Sequence, residues 1–147
     1  MSLSKDPFDL ERFVRAQAGD YDQALSELRD GKKRSHWMWY VFPQIEGLGH
    51  SPMSRRYSIG SAAEARAYLD HPVLGPRLRE CAAAVHGIVG RSALEILGSP
   101  DDLKLRSCAT LFARVSHEGV FEQLLQKFFN GQPDKETLRV LSATTEA

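Results

Sequence analysis

Only one run in this chain has the composition of a β-strand, and it stands alone. His36-Trp37-Met38-Trp39-Tyr40-Val41-Phe42 gathers the aromatic and β-branched side chains that suit a pleated surface. No second run of that kind offers itself for pairing, and a lone strand leaves its backbone N–H and C=O groups unsatisfied. The run therefore reads as a short helical turn or an ordered buried segment. Pro43 bends the chain after it, and Gly47 and Gly49 around Leu48 supply loop freedom or positive φ.

With sheet set aside, the rest of the chain is a series of helix signals. Asp6-Pro7 opens a helix with Leu10, Phe13, Val14 and Gln17 at helical spacing. Asp20 opens a second, with Tyr21, Ala24, Leu25 and Leu28, that stops at Gly31. Ser51-Pro52 starts a short turn carrying Arg55, Arg56 and Tyr57. Ser61/Glu64 and Ser92/Glu95 have the spacing of capping boxes. Leu74, Leu78, Cys81, Val85 and Ile88 recur at offsets of three and four, and so do Leu105, Cys108, Phe112 and Val115 after Ser99-Pro100. Glu118 to Asn130 packs through Phe121, Leu124, Leu125, Phe128 and Phe129, and Asp134 caps a last helix with Leu138 and Leu141. The tail from Ser142 to Ala147 is expected to fray. The expected fold is all-α: one compact domain over residues 1–147, with about seven or eight short helices packed orthogonally. Its expected core comprises Phe13, Leu25, Leu28, Trp37, Leu74, Leu78, Cys81, Val85, Leu105, Phe112, Phe121, Leu125 and Phe128.

Composition excludes several classes. A chain of 147 residues is of ordinary single-domain size, and 42% hydrophobic with 26% charged residues argues against disorder. Its 19 cations balance its 19 anions, so no general nucleic-acid binding or adhesion to anionic membranes is expected. No apolar run approaches the roughly 20 residues of a membrane span. Met1 to Leu10 shows neither a long apolar core nor a small-residue cleavage site, so a cytosolic protein is expected. Cys81 and Cys108 are far apart in sequence and flanked by apolar or small residues, as buried reduced thiols are.

The chemistry concentrates near the lone aromatic run. Lys32-Lys33-Arg34 and His36 lead directly into Trp37, Trp39, Tyr40 and Phe42, so both Trp residues lie within three positions. Cations at a helix end suit the negative end of the macrodipole. Cations on an aromatic wall also suit a flat, anionic, nucleotide-like ligand, or a peptide carboxylate. His36 fits either proton transfer or a structural hydrogen bond. Four large aromatics around one turn cannot all face one core, so at least one should line a cleft. Gln44 in an apolar setting should seek defined hydrogen bonds. Arg56 and Tyr57 add a third candidate set, ahead of Arg55. Lys104, Ser107 and Thr110 form a polar stripe beside a core stripe, either a solvent boundary or the opposite wall of the same cleft. No phosphate loop, dinucleotide fingerprint or nucleophile elbow is present. The five His residues lack metal-ligand spacing, so no metal or cofactor is expected.

Lys32 to Gln44 with Gly47-Leu48-Gly49 resembles the signature of the domain of unknown function 1810 family of small, mainly bacterial proteins. The likeness continues at Ser51, Tyr57, Glu64-Ala65, Tyr68-Leu69, Leu74-Gly75, Asp102-Leu103-Lys104-Leu105, Ser107, Thr110, Leu111, Phe112, Phe129 and Gly131. It implies a single, mainly helical domain and no established activity. Members are sometimes labelled calpastatin, but calpastatin is a disordered protease inhibitor and this chain has the pattern of a folded one.

Together these features point to a domain binding a small anionic or nucleotide-like ligand in a cleft around the Lys33-to-Gln44 motif. Lys33, Arg34 and His36 would form one wall, and Lys104, Ser107 and Thr110 the other. Trp37, Trp39, Gln44, Arg56 and Tyr57 complete the candidate set. An enzymatic version, a hydrolase or transferase, would use His36 for proton transfer. The alternative is a peptide- or protein-interaction module with the aromatics as anchors.

Overall fold

The computed structural model describes residues 6–145, and among them the chain forms ten helices. These are α1 (Glu11–Ala18), α2 (Tyr21–Arg29), α3 (Met38–Val41), α4 (Pro52–Arg56), α5 (Ala62–Asp70), α6 (Leu74–His86), α7 (Ala93–Leu97), α8 (Asp101–Val115), α9 (Gly119–Phe129) and α10 (Lys135–Thr145). The fold is all-α, as expected. The count exceeds seven or eight because α3 and α4, of four and five residues, register as helices in their own right. Helix α10 continues through Thr145, so residues 142–145 of the segment expected to fray are helical. Residues 1–5, part of the stretch read for a leader, and residues 146–147 lie outside the described residues.

Local chemistry accounts for the ends of the elements. Both oxygens of Asp6 accept from the N–H groups of Leu10 and Glu11, at 2.7 and 2.9 Å, and so serve the first turn of α1. Ser92 and Glu95 close a reciprocal capping box at α7. At α5 the box is half made: Ser61 accepts from the Glu64 N–H at 3.1 Å, but the Glu64 carboxylate turns to the Gly60 N–H at 2.9 Å and to Arg12.

Helices α5, α6, α8 and α9 pack together around Tyr68, Leu74, Leu78, Cys81, Phe112 and Phe121, with α2 closing against α6. Every residue expected in the core is buried except Phe128, which packs at its edge. Both cysteines are free and buried; burial pushes the Cys81 thiol up to about 12 and raises Cys108 as well. No helix among the described residues is long and apolar enough to cross a membrane.

The lone aromatic run folds as the single turn α3, with Val41 N–H bonded to the Trp37 carbonyl and Phe42 N–H to that of Met38. Beyond Pro43 the backbone finds the one partner that propensity did not reveal. Ile45 forms an isolated parallel bridge with Ile59: the Ile59 N–H donates to the Gln44 carbonyl and the Glu46 N–H to the Ile59 carbonyl, both at 2.8 Å.

Candidate functional site

The cationic run is shaped by a buried carboxylate on α2. Glu27 is 1% exposed. Its Oε1 accepts from the backbone N–H of Arg34 (2.8 Å) and Ser35 (3.1 Å) and from Trp37 Nε1 (2.8 Å). Its Oε2 accepts from Ser35 Oγ and Gln23 Nε2, each at 2.7 Å. Burial alone would raise this carboxyl, but the hydrogen bonds from Ser35, Arg34, Gln23 and Trp37 outweigh it and hold it at about 2. Trp37 is thereby a core residue with its indole N–H satisfied.

The cations separate into different environments. Lys33 Nζ lies 3.0 Å from Asp101 Oδ2 and 5.2 Å from the Trp37 ring centre, with only 9% of its side chain exposed. The other Asp101 oxygen is 3.3 Å from Lys104 Nζ, which stands 5.4 Å over the Trp39 ring. A single carboxylate thus joins the motif to the first turn of α8. Arg34 points outward to Asp30 at 3.2 Å, a surface pair of little energetic consequence. His36 is exposed, and its carbonyl accepts from the Tyr40 hydroxyl at 3.2 Å.

Ser107 and Thr110 belong to a different neighbourhood. Ser107 Oγ donates to the Leu103 carbonyl and reaches Asp134 Oδ2, both at 3.2 Å; Thr110 Oγ1 donates to the Arg106 carbonyl at 2.8 Å and accepts from the Asp134 N–H at 2.9 Å. They fasten the start of α10 to α8. The two walls read from the sequence are therefore parted: Lys104 faces the motif, whereas Ser107 and Thr110, three and six residues further round the helix, do not.

A cavity of about 380 Å³ opens immediately after the motif, between the Gln44–His50 segment and α4 with the residues that follow it. Trp39, Ile45 and Tyr57 supply its apolar surface, and Gln44, Glu46, His50, Ser54, Arg55 and Ser58 its polar groups. Gly49 allows the loop to lie on α4, since a Cβ there would sit 2.6 Å from Ser54 Cβ and Oγ. Ser51 caps α4 by accepting from the Ser54 N–H at 3.1 Å. Tyr57 is fixed edge-on against Tyr40, ring centres 5.2 Å apart, and tilted against Phe13 at 5.8 Å.

Of the residues singled out in the sequence, Trp39, Gln44 and Tyr57 line this cavity; Lys33, Arg34, His36, Trp37, Arg56, Lys104, Ser107 and Thr110 do not. Arg55 takes the place expected for Arg56, because neighbours on a helix point about 100° apart; Arg56 is exposed and lies beside the Tyr57 ring. Glu46, His50, Ser54 and Ser58 were not anticipated. The signal that could have found them is the Gly47-Leu48-Gly49 loop followed by the Ser51 cap, which together turn residues 44–58 back on themselves. Among the described residues, no group of three or more His, Cys, Asp or Glu could hold a metal ion.

Fold and cavity describe a small all-helical domain with a polar, aromatic-walled cleft beside a Trp-rich motif. The chain belongs to the family described as "Protein of unknown function (DUF1810)", which it matches over residues 7–141. A crystal structure at 1.38 Å of the conserved hypothetical protein Rv1873 from Mycobacterium tuberculosis is similar throughout, with a TM-score of 0.92 and 54% identity, covering 93% of this chain and 99% of that one. Comparison with curated proteins finds no match.

Proposed function

We propose that the cavity beside Trp39 binds a small organic anion carrying a flat ring, a mononucleotide being the fitting class, and that it does so in the cytosol. The observation that carries this reading is the meeting of Trp39 and Arg55 in one cavity of about 380 Å³. An indole offers a stacking face, a guanidinium grips phosphate or carboxylate in a fork, and the volume falls in the range of small-molecule pockets. His50 adds a second nitrogen donor, and Gln44, Ser54 and Ser58 add hydrogen bonds that would fix orientation. Lys104 holds its charge 5.4 Å from the Trp39 ring centre without lining the cavity, which adds positive potential beside that ring. Binding is what the arrangement supports directly; in any reaction, His50 and Glu46 are the lining groups able to exchange protons, in place of His36.

The interaction-module reading fits less well. Trp37, Tyr40 and Phe42 are buried in the core, so the motif presents Trp39 rather than a row of aromatic anchors. Two buried reduced thiols suit a cytosolic setting.

A thermal-shift screen of nucleotides, sugar phosphates, aromatic carboxylates and peptides, followed by calorimetry on the best hit, tests the proposal. Arg55→Ala should weaken binding at least about tenfold while moving Tm by no more than about 2 °C, because Arg55 is exposed on a short helix. A hit whose affinity survives both Arg55→Ala and Trp39→Ala would place its site elsewhere.

A further inference from the structure

Arg12, on α1, does not line the cavity, yet it uses all five of its guanidinium N–H donors. Nε donates to the Arg56 carbonyl at 2.8 Å; Nη1 donates to the carbonyls of Phe8 (2.6 Å) and Asp9 (2.8 Å); Nη2 donates to the Ser58 carbonyl at 2.7 Å and to Glu64 Oε2 at 2.9 Å. The Arg12 side chain is 15% exposed and that of Glu64 8%. All are charge-assisted, and those to Phe8, Ser58 and Glu64 are partly buried, where a planar fork is worth most. The two carbonyls it holds on the far segment, those of Arg56 and Ser58, flank Tyr57. The residues around them, Arg55, Tyr57 and Ser58, form one wall of the cavity.

On its other side that wall packs through Tyr57 and Ile59, but its backbone pairing there is a single bridge. Ile59 pairs with Gln44 and Glu46 through one isolated bridge, with no ladder beyond it, so strand pairing does not fix the backbone that leads into it from Arg56. Glu64 completes the frame, since its Oε2 meets Arg12 while its Oε1 accepts from the Gly60 N–H. The chain from Arg56 to Gly60 is thus fastened along its outer edge by one guanidinium and one carboxylate.

We infer that Arg12 is the positioning residue of the cavity: with Glu64 it sets the path of residues 56–60 and hence the places of Arg55, Tyr57 and Ser58 around a ligand. The inference rests on the cavity being the binding site, but the wall-holding role has a readout of its own. Lysine keeps the charge toward Glu64, yet its three donors on a single nitrogen cannot span four carbonyls and a carboxylate.

Amide hydrogen exchange and calorimetric titration with adenosine monophosphate, on the wild type, Arg12→Lys and Arg12→Ala, test it together. The expected result for Arg12→Lys is exchange at Tyr57 and Ile59 faster by at least about tenfold, with α6 and α8 amides unchanged, and affinity for the nucleotide down by a similar factor. Unchanged exchange at Ile59 would overturn the inference. Equal acceleration of all amides would overturn it too, since Arg12 would then be a general stabiliser. If the wild type binds no adenosine monophosphate while exchange responds locally, the wall-holding role stands and it is the nucleotide reading that fails.

Discussion

Replacing Glu27 by Ala removes the acceptor from five donor groups at once: the N–H groups of Arg34 and Ser35, the Ser35 hydroxyl, the Trp37 indole and the Gln23 amide. Several of these are buried, and each orphaned donor costs on the order of 1–3 kcal/mol, so Glu27→Ala should destabilise the domain by at least about 3 kcal/mol in denaturant titration. Glu27→Gln keeps one oxygen for the two backbone N–H groups and the indole, and should cost less. The carboxyl sits at about 2 in the folded protein, below its ordinary value, so the unfolded chain takes up the proton first. Its stabilising contribution is full above the ordinary carboxyl range and is lost as pH falls toward 2. The gap in stability between wild type and Glu27→Gln should therefore narrow on acidification below about pH 4.5. A gap independent of pH would mean that the charge of Glu27 is not what holds the motif. None of this was legible in the sequence, where Glu27 is one more polar residue on an amphipathic helix. A buried carboxylate is recognised by what surrounds it, and all its donors but Gln23 come from seven to ten residues further on.

Where helix meets helix, close approach overrides propensity. Gly75 lies in the first turn of α6, where Ala would ordinarily favour a helix by about 1 kcal/mol. Here a Cβ would stand 2.1 Å from the Leu69 carbonyl oxygen at the end of α5 and 2.8 Å from Arg79 Nη1. Gly75→Ala should accordingly destabilise, by about 1–3 kcal/mol in urea titration. A stabilised variant would show that α5 and α6 part easily. The elements themselves were the readable level: the stripes of α6, α8 and α9 and the Ser92 cap follow from three-to-four spacing and cap chemistry. What spacing could not show was a pairing one residue long. Ile45 and Ile59 have no alternating neighbours to announce them, so the bridge that closes one side of the cavity has no period to detect.

For the molecule as a whole, balanced charge leaves recognition to local arrangement, and the arrangement divides the expected site. Lys33 is committed to Asp101, Arg34 to the surface, and Ser107 and Thr110 to α10, while Trp39, Gln44 and Tyr57 meet around the cavity. The motif was found because two Trp residues beside cations are conspicuous. The remaining polar lining, Glu46, His50, Ser54, Arg55 and Ser58, lies in loops and a five-residue helix too short to show a hydrophobic period. The most direct measurement is amide chemical-shift perturbation on titrating the isotope-labelled domain with adenosine monophosphate and the best hit of the ligand screen. The expected result is saturable shifts confined to Trp39, Gln44–His50 and Ser54–Ser58, absent in Arg55→Ala. Shifts gathered instead at Arg34 and His36, or no saturable shift with any ligand of the screen at about millimolar concentration, would contradict it.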